Sequence, residues 1–170
     1  MSKFEKSYFV TEPLREVGVP GIDLVKGRTY PTLTYMGRDL VPVSNDYLEF
    51  GWIWEMPDPN PHILEHYHDH DEIVLHIGSD PHNPEDLGAE IEYVVGGETL
   101  IINKTSSIFI PKGVRHGPLT WKSFRRPHIQ MTIILGAGTL AEAAPWRRKK
   151  IKTRATFLVV MQCIVHKLST

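Results

Sequence analysis

Short β-type segments, each stopped by proline or glycine, constrain this chain more than any other feature. Glu49 to Met56 (EFGWIWEM) ends at Pro57, Glu90 to Val95 (EIEYVV) at Gly96-Gly97, Ser107 to Ile110 (SIFI) at Pro111, and His128 to Leu135 (HIQMTIIL) at Gly136. Proline removes a ladder donor, and glycine supplies the positive φ that tight turns need. Glu90 to Ile102 therefore reads as a hairpin closed on Gly96-Gly97. In Glu49 to Met56 the alternation places Phe50, Trp52, Trp54 and Met56 on one face, expected to be the core face. Residues 11–45 carry Pro, Gly and short apolar pieces without a sustained 3.6-residue period, so short strands in an irregular arm are expected. Ser79 to Gly88 reads as an acidic surface loop, and only Leu140 to Ala144 reads as helical. Strands at this spacing with turn signals between them predict an all-β sandwich or barrel.

With 170 residues the chain suffices for one domain with a real core. No stretch approaches the ~18–20 apolar residues of a membrane span, so no integral membrane segment is expected. Met1 to Val10 lacks the apolar core of a signal peptide, and the one cysteine, Cys163, excludes an intramolecular disulfide framework. A cytoplasmic protein is the expectation. The near-neutral total hides a split. Residues 1–142 hold 12 Lys and Arg against all 20 acids, a net of −8, and residues 143–170 hold seven and none, so +7. An acidic body argues against a nucleic-acid partner. The basic and apolar tail, 143–170, reads as an edge strand, a membrane-surface contact or a dimer element.

Six of the nine histidines lie between His62 and His82. In His66-Tyr67-His68-Asp69-His70-Asp71-Glu72, a strand puts His66 and His68 on one side, able to reach one metal ion. Glu72 keeps that parity and adds a carboxylate if the chain turns a corner after His68, while Tyr67 faces away. About 44 residues on, Pro111 ends a strand, Gly113 permits a turn and His116 starts the next element.

H-x-H-x3-E followed by P-x-G-x2-H resembles the paired motifs of the cupin superfamily, over roughly Trp52 to Gly136. The resemblance implies a double-stranded β-helix, or jelly-roll barrel, in which His66, His68, Glu72 and His116 bind one divalent metal. It places the barrel core at about 49–136 of a single domain, 1–142, with an N-terminal arm, 1–48. Gly78 fits the glycine that closes the first motif, whereas Thr105 and Thr120 replace a usual glycine and asparagine. Three imidazoles and a carboxylate suit iron(II), the favoured metal, and equally manganese, nickel or zinc. An all-His/Cys zinc cage is not expected, because the lone cysteine sits in the tail.

Beyond the ligands, His76, His128 and Tyr93 are candidate bases. Trp54, Tyr93, Arg115 and Gln130 are candidate pocket residues, and His70 shares the ligands' parity. His128, Gln130 and Thr132 form a polar row that either faces solvent or lines a pocket. The expected activity is metal-dependent chemistry on a small molecule, first an oxidoreductase of the dioxygenase kind. A non-redox lyase, isomerase or cyclase is the second reading and a non-catalytic binding module the third. The resemblance also implies a homodimer.

Overall fold

The computed structural model describes residues 3–17 and 25–144. The strands are β4 (Tyr47–Asp58), β5 (Asp71–Gly78), β6 (Asp86–Val95), β7 (Glu98–Lys104), β8 (Ser106–Ile110), β9 (His116–Phe124) and β10 (His128–Leu135); β6, β8 and β10 end at the expected punctuation, whereas β4 runs through Pro57. The β6–β7 hairpin turns on Gly96 and Gly97 at φ of 61° and 88°, both values barred to most side chains. Before them come helix α1 (Lys3–Tyr8) and short strands β1 (Leu14–Glu16), β2 (Lys26–Arg28) and β3 (Thr32–Met36), and after them helix α2 (Leu140–Ala143). The arm is thus more regular than expected. It contains a helix that its lack of period did not announce, and its strands extend a sheet. The basic segment beyond 144 lies outside the described residues. No helix among the described residues is long and apolar enough to cross a membrane.

One sheet runs β1-β3-β4-β10-β5-β8, with β2 also on β4, and the other runs β7-β6-β9. The segment around 63–66 joins the second sheet, bridging Ile63 to Leu119 and His66 to His116. Following the chain from β4, successive pieces cross between sheets: β4 in the first, 63–66 in the second, β5 back in the first, the β6–β7 hairpin in the second. Strands β8, β9 and β10 then repeat the crossing. That order, four strands to each side of the barrel, is a jelly roll. Ile53, Val74, Ile91, Leu119 and Trp121 fill the space between sheets at 4% exposure or less.

Register sets out what the first sheet shows to the interior. Tyr47, Ile134, Glu72 and Ile110 lie abreast, then Glu49, Thr132, Val74 and Ile108, then Gly51, Gln130, His76 and Ser106, then Ile53, His128 and Gly78. The polar row of β10 therefore faces inward. The aromatic face of β4 does not: Trp52, Trp54 and Met56 are 40–47% exposed, and Phe50 stacks on Tyr35. Alternation identified the two faces of β4, but the larger side chains took the outer one because β10 and β2 present their interior to Gly51 and Ile53.

Gly78 is required by space. A Cβ there would stand 2.2 Å from the Asp86 carbonyl oxygen, a backbone atom that cannot yield without moving β6. Thr105, in place of the usual glycine, serves the same crossing by accepting from Gly78 N–H at 2.9 Å and donating to the Pro84 carbonyl at 2.7 Å. Gly78→Ala is expected to cost roughly 1–3 kcal/mol by overpacking, measurable as a lower denaturation midpoint. A midpoint equal to wild type would show that β6 gives way freely.

Candidate metal centre

The backbone brings four side chains to one point. His66 and His116 face each other across an antiparallel bridge, with N–H to carbonyl bonds of 2.8 and 2.9 Å in both directions. The chain then turns its corner. The His68 carbonyl accepts from Gly113 N–H at 2.8 Å, tying the first motif to the tight turn of the second, and Glu72 enters β5 pointing inward. One ligand atom from each of His66, His68, Glu72 and His116 lies within 4.8 Å of the others.

The imidazoles are oriented by the main chain. Nδ1 of His66 sits 2.8 Å from the Leu64 carbonyl, Nδ1 of His68 2.7 Å from the Ala143 carbonyl, and Nδ1 of His116 2.9 Å from the Val114 carbonyl. A carbonyl only accepts, so each Nδ1 carries the proton, and each Nε2 presents a lone pair. Nε2 of His116 approaches Glu72 Oε2 to 2.9 Å, yet both atoms are buried without a hydrogen bond among the described residues. Two facing acceptors left unsatisfied, with neutral imidazoles held from behind, match the donor set of a transition metal and the carbonyl support metal-bound histidines usually have. Burial pushes the Glu72 carboxyl up, and it falls below the usual carboxylate range only where His116, His68 and His66 carry protons toward it; with neutral imidazoles a cation takes that part. Burial, reinforced by His116, lowers His66 to about 4, which keeps it a neutral ligand at physiological pH.

His66, His68 and Glu72 open on a cavity of about 570 Å³. Of the candidate pocket residues, Tyr93 and Gln130 line it. Trp54 does not, being on the outer face of β4, and neither does Arg115, whose guanidinium is exposed and holds Glu65 through its Nε at 2.8 Å. Its position beside His116 pointed to the site, but alternation along the strand turns it outward. His70 is half-buried and stands outside the group of four. His76 and His128 are fully buried but do not line the cavity. His128 accepts from Trp121 Nε1 at 3.3 Å.

Three lining residues carried no sequence signal of their own: Tyr47, Glu49 and His62. The Tyr47 hydroxyl lies 2.7 Å from Glu16 Oε2, 2.9 Å from Glu49 Oε2 and 3.0 Å from Thr34 Oγ1. Glu49 keeps part of its surface open to the cavity while the barrel withdraws bulk water around it. Its carboxyl is pushed up by burial, against the opposing pull of Arg28. The inward parity Tyr47, Glu49, Gly51, Ile53 would have found Glu49, had β4 been read with its aromatic face outward.

No protein-family model matches the sequence, and no curated protein does. Among solved structures the chain is similar to an RmlC-like cupin from Shewanella frigidimarina, with 15% identity over 75% of this chain and 86% of that one and a TM-score of 0.43. It is also similar to a predicted oxalate decarboxylase from Thermotoga maritima, at 11% identity, 73% and 91% coverage and a TM-score of 0.47. A third is a putative mannose-6-phosphate isomerase from Ralstonia eutropha, at 13% identity, 72% and 91% coverage and a TM-score of 0.44.

Proposed function

We propose that this cupin-type barrel is a mononuclear metal enzyme acting on a small organic molecule, with an oxidoreductase of the dioxygenase kind as the leading activity. The observation that carries the reading is the set of three Nδ1–H groups pinned to main-chain carbonyls, which aims three Nε2 lone pairs at the Glu72 carboxylate. Iron(II) is the favoured ion, and manganese, nickel or zinc satisfy the same donors. When bound, such an ion with open positions polarises a substrate oxygen or activates dioxygen. The protein's part is to hold the substrate against it in a cavity with apolar walls. Tyr93 adds a hydroxyl that stays protonated, because burial and the Glu72 charge both push its pKa up.

A second, non-redox reading gains a specific observation in Glu49. The Tyr47 hydroxyl has one proton to share between Glu16 and Glu49, and burial favours the protonated form of Glu49. Glu49 lies one row from Glu72 and opens on the cavity. It suits a general acid or base beside a polarised carbonyl better than His76 or His128, which the cavity does not reach.

Reconstitution under argon, followed by assay with and without admitted oxygen, separates the readings. With iron(II), substrate-dependent oxygen uptake is expected within a panel of small acids and phenols. Turnover with zinc or manganese in the absence of oxygen, lost in Glu49→Gln, would transfer the assignment to the lyase or isomerase class.

A further inference from the structure

Main-chain carbonyls orient the three imidazoles of the cluster, and for two of them the carbonyl is local. Leu64 and Val114 stand two residues before His66 and His116, so the chain that places each ring also places its acceptor. His68 is held differently. Its Nδ1 meets the carbonyl of Ala143, 75 residues further on, in a buried contact of 2.7 Å. The direction in which His68 presents its Nε2 therefore depends on where that far segment lies. The same segment is a wall of the cavity, through Leu140, Ala143 and Ala144.

Helix α2 has four residues, far fewer than an isolated helix needs to be stable in water. Its place must come from its surroundings. On the inner side Ala143, with Leu140, packs against Tyr47, Ile134 and Ala137. On the outer side the hold is polar and comes from Arg38. The Arg38 guanidinium donates to the two oxygens of Glu142 at 2.9 and 3.4 Å, and to Asn45 Oδ1 at 3.1 Å. The Arg38 main-chain N–H donates to the Gly138 carbonyl at 2.6 Å, and Gly138 N–H donates to Glu142 Oε2 at 2.7 Å. With side chains 42% and 41% exposed, the pair would stabilise the fold little as a plain ion pair. As a two-point fork it fixes the angle of α2 as well as its distance.

Resting on the metal-enzyme reading above, we infer that Arg38 and Glu142 are positioning residues for the metal centre, clasping α2 so that the Ala143 carbonyl aims the His68 imidazole at the ion. The test uses zinc(II) alone, titrated into the metal-free full chain against a chelating indicator. Nitrogen-15 labelling of histidine gives a second readout, the exchange of each Nδ1–H with water. A group bonded directly to a metal ligand is worth roughly 10–100-fold in metal affinity, and the clasp acts one step further back, so Arg38→Met is expected to weaken zinc roughly three- to tenfold. It should speed exchange at His68 Nδ1 while His66 and His116 keep their rates. Glu142→Gln, which keeps an acceptor for Gly138 but not the charge, should do the same to a smaller extent. Arg38→Lys keeps the charge without the fork and should recover part of the loss. The melting temperature of the metal-free protein is expected to stay near wild type, since both side chains are exposed.

In a chain that binds zinc, either readout left unchanged by Arg38→Met overturns the inference. Faster exchange at all three imidazoles with a lowered melting temperature overturns it too, making the pair a general support of the fold. The two readings fail separately. If the chain binds no zinc while His68 Nδ1–H protection still depends on Arg38, the metal-enzyme reading falls and the clasp stands. Zinc uptake with affinity and His68 exchange indifferent to Arg38 gives the reverse.

Discussion

Replacing His66 and His68 together with alanine is expected to reduce the metal in the natively purified protein from about one equivalent to a small fraction of one. His66 and His68 supply two of the four donors in the cluster, and loss of a mere supporting contact to a metal ligand already costs roughly 10–100-fold in affinity. Losing two donors outright removes more. Elemental analysis checks the count, and a metal content equal to wild type would sink the ligand assignment. Stability provides a second readout. An ion held a thousand-fold below its free concentration stabilises the fold by about 4 kcal/mol, which for a domain of this size is on the order of 8–16 °C in melting temperature. Chelation should therefore lower the melting temperature of the wild type and leave the double variant unmoved. His116→Ala should behave alike but also disturb folding, since His116 is 1% exposed and its ring packs on Tyr93.

The clustering of His66, His68, Glu72 and His116 was legible because its geometry is local. A two-residue spacing puts His66 and His68 on one side whatever the rest of the chain does, and Pro111 and Gly113 mark the turn that brings His116 back. The other half of the cavity was not legible, because no local rule says which face of β4 is interior. Trp52 and Trp54 make the outer face the more hydrophobic one, and Gly51, which admits Arg28, reads as an interruption of the strand. Arg28, which is buried without lining the cavity, comes from a three-residue strand in a Pro- and Gly-rich arm, and only its pairing with Ile53 turns it inward. The polar row of His128, Gln130 and Thr132 was visible, but its direction depended on β4 and β5 flanking β10 on both sides.

That inward histidine content should make the protein unusually sensitive to acid. Burial, with His76 and Arg28 adding repulsion, lowers His62 to about 3, burial likewise lowers His76 to about 3, and burial lowers His128 to about 4. The folded-state values lie below the ordinary 6.5, so the unfolded chain binds more protons than the folded one throughout the interval. Stability from these groups is fully present above pH 6.5 and drains as pH falls toward 3. Near pH 5 the unfolded state carries close to three extra protons from them, a slope on the order of 4 kcal/mol per pH unit. A domain whose whole stability is typically about 5–15 kcal/mol is then expected to unfold cooperatively between about pH 6 and pH 4. Trp121, which packs on His62 and stacks on His128, reports the transition by fluorescence. His76→Leu removes one of the three protons while keeping the site apolar and filled. Its acid midpoint should fall, and its pH dependence of stability should flatten by about a third. Both are measurable by urea titration at a series of pH values. A variant whose slope matches the wild type would mean that His76 already finds proton partners inside the barrel, such as ordered water beside Ser106 and Gln130.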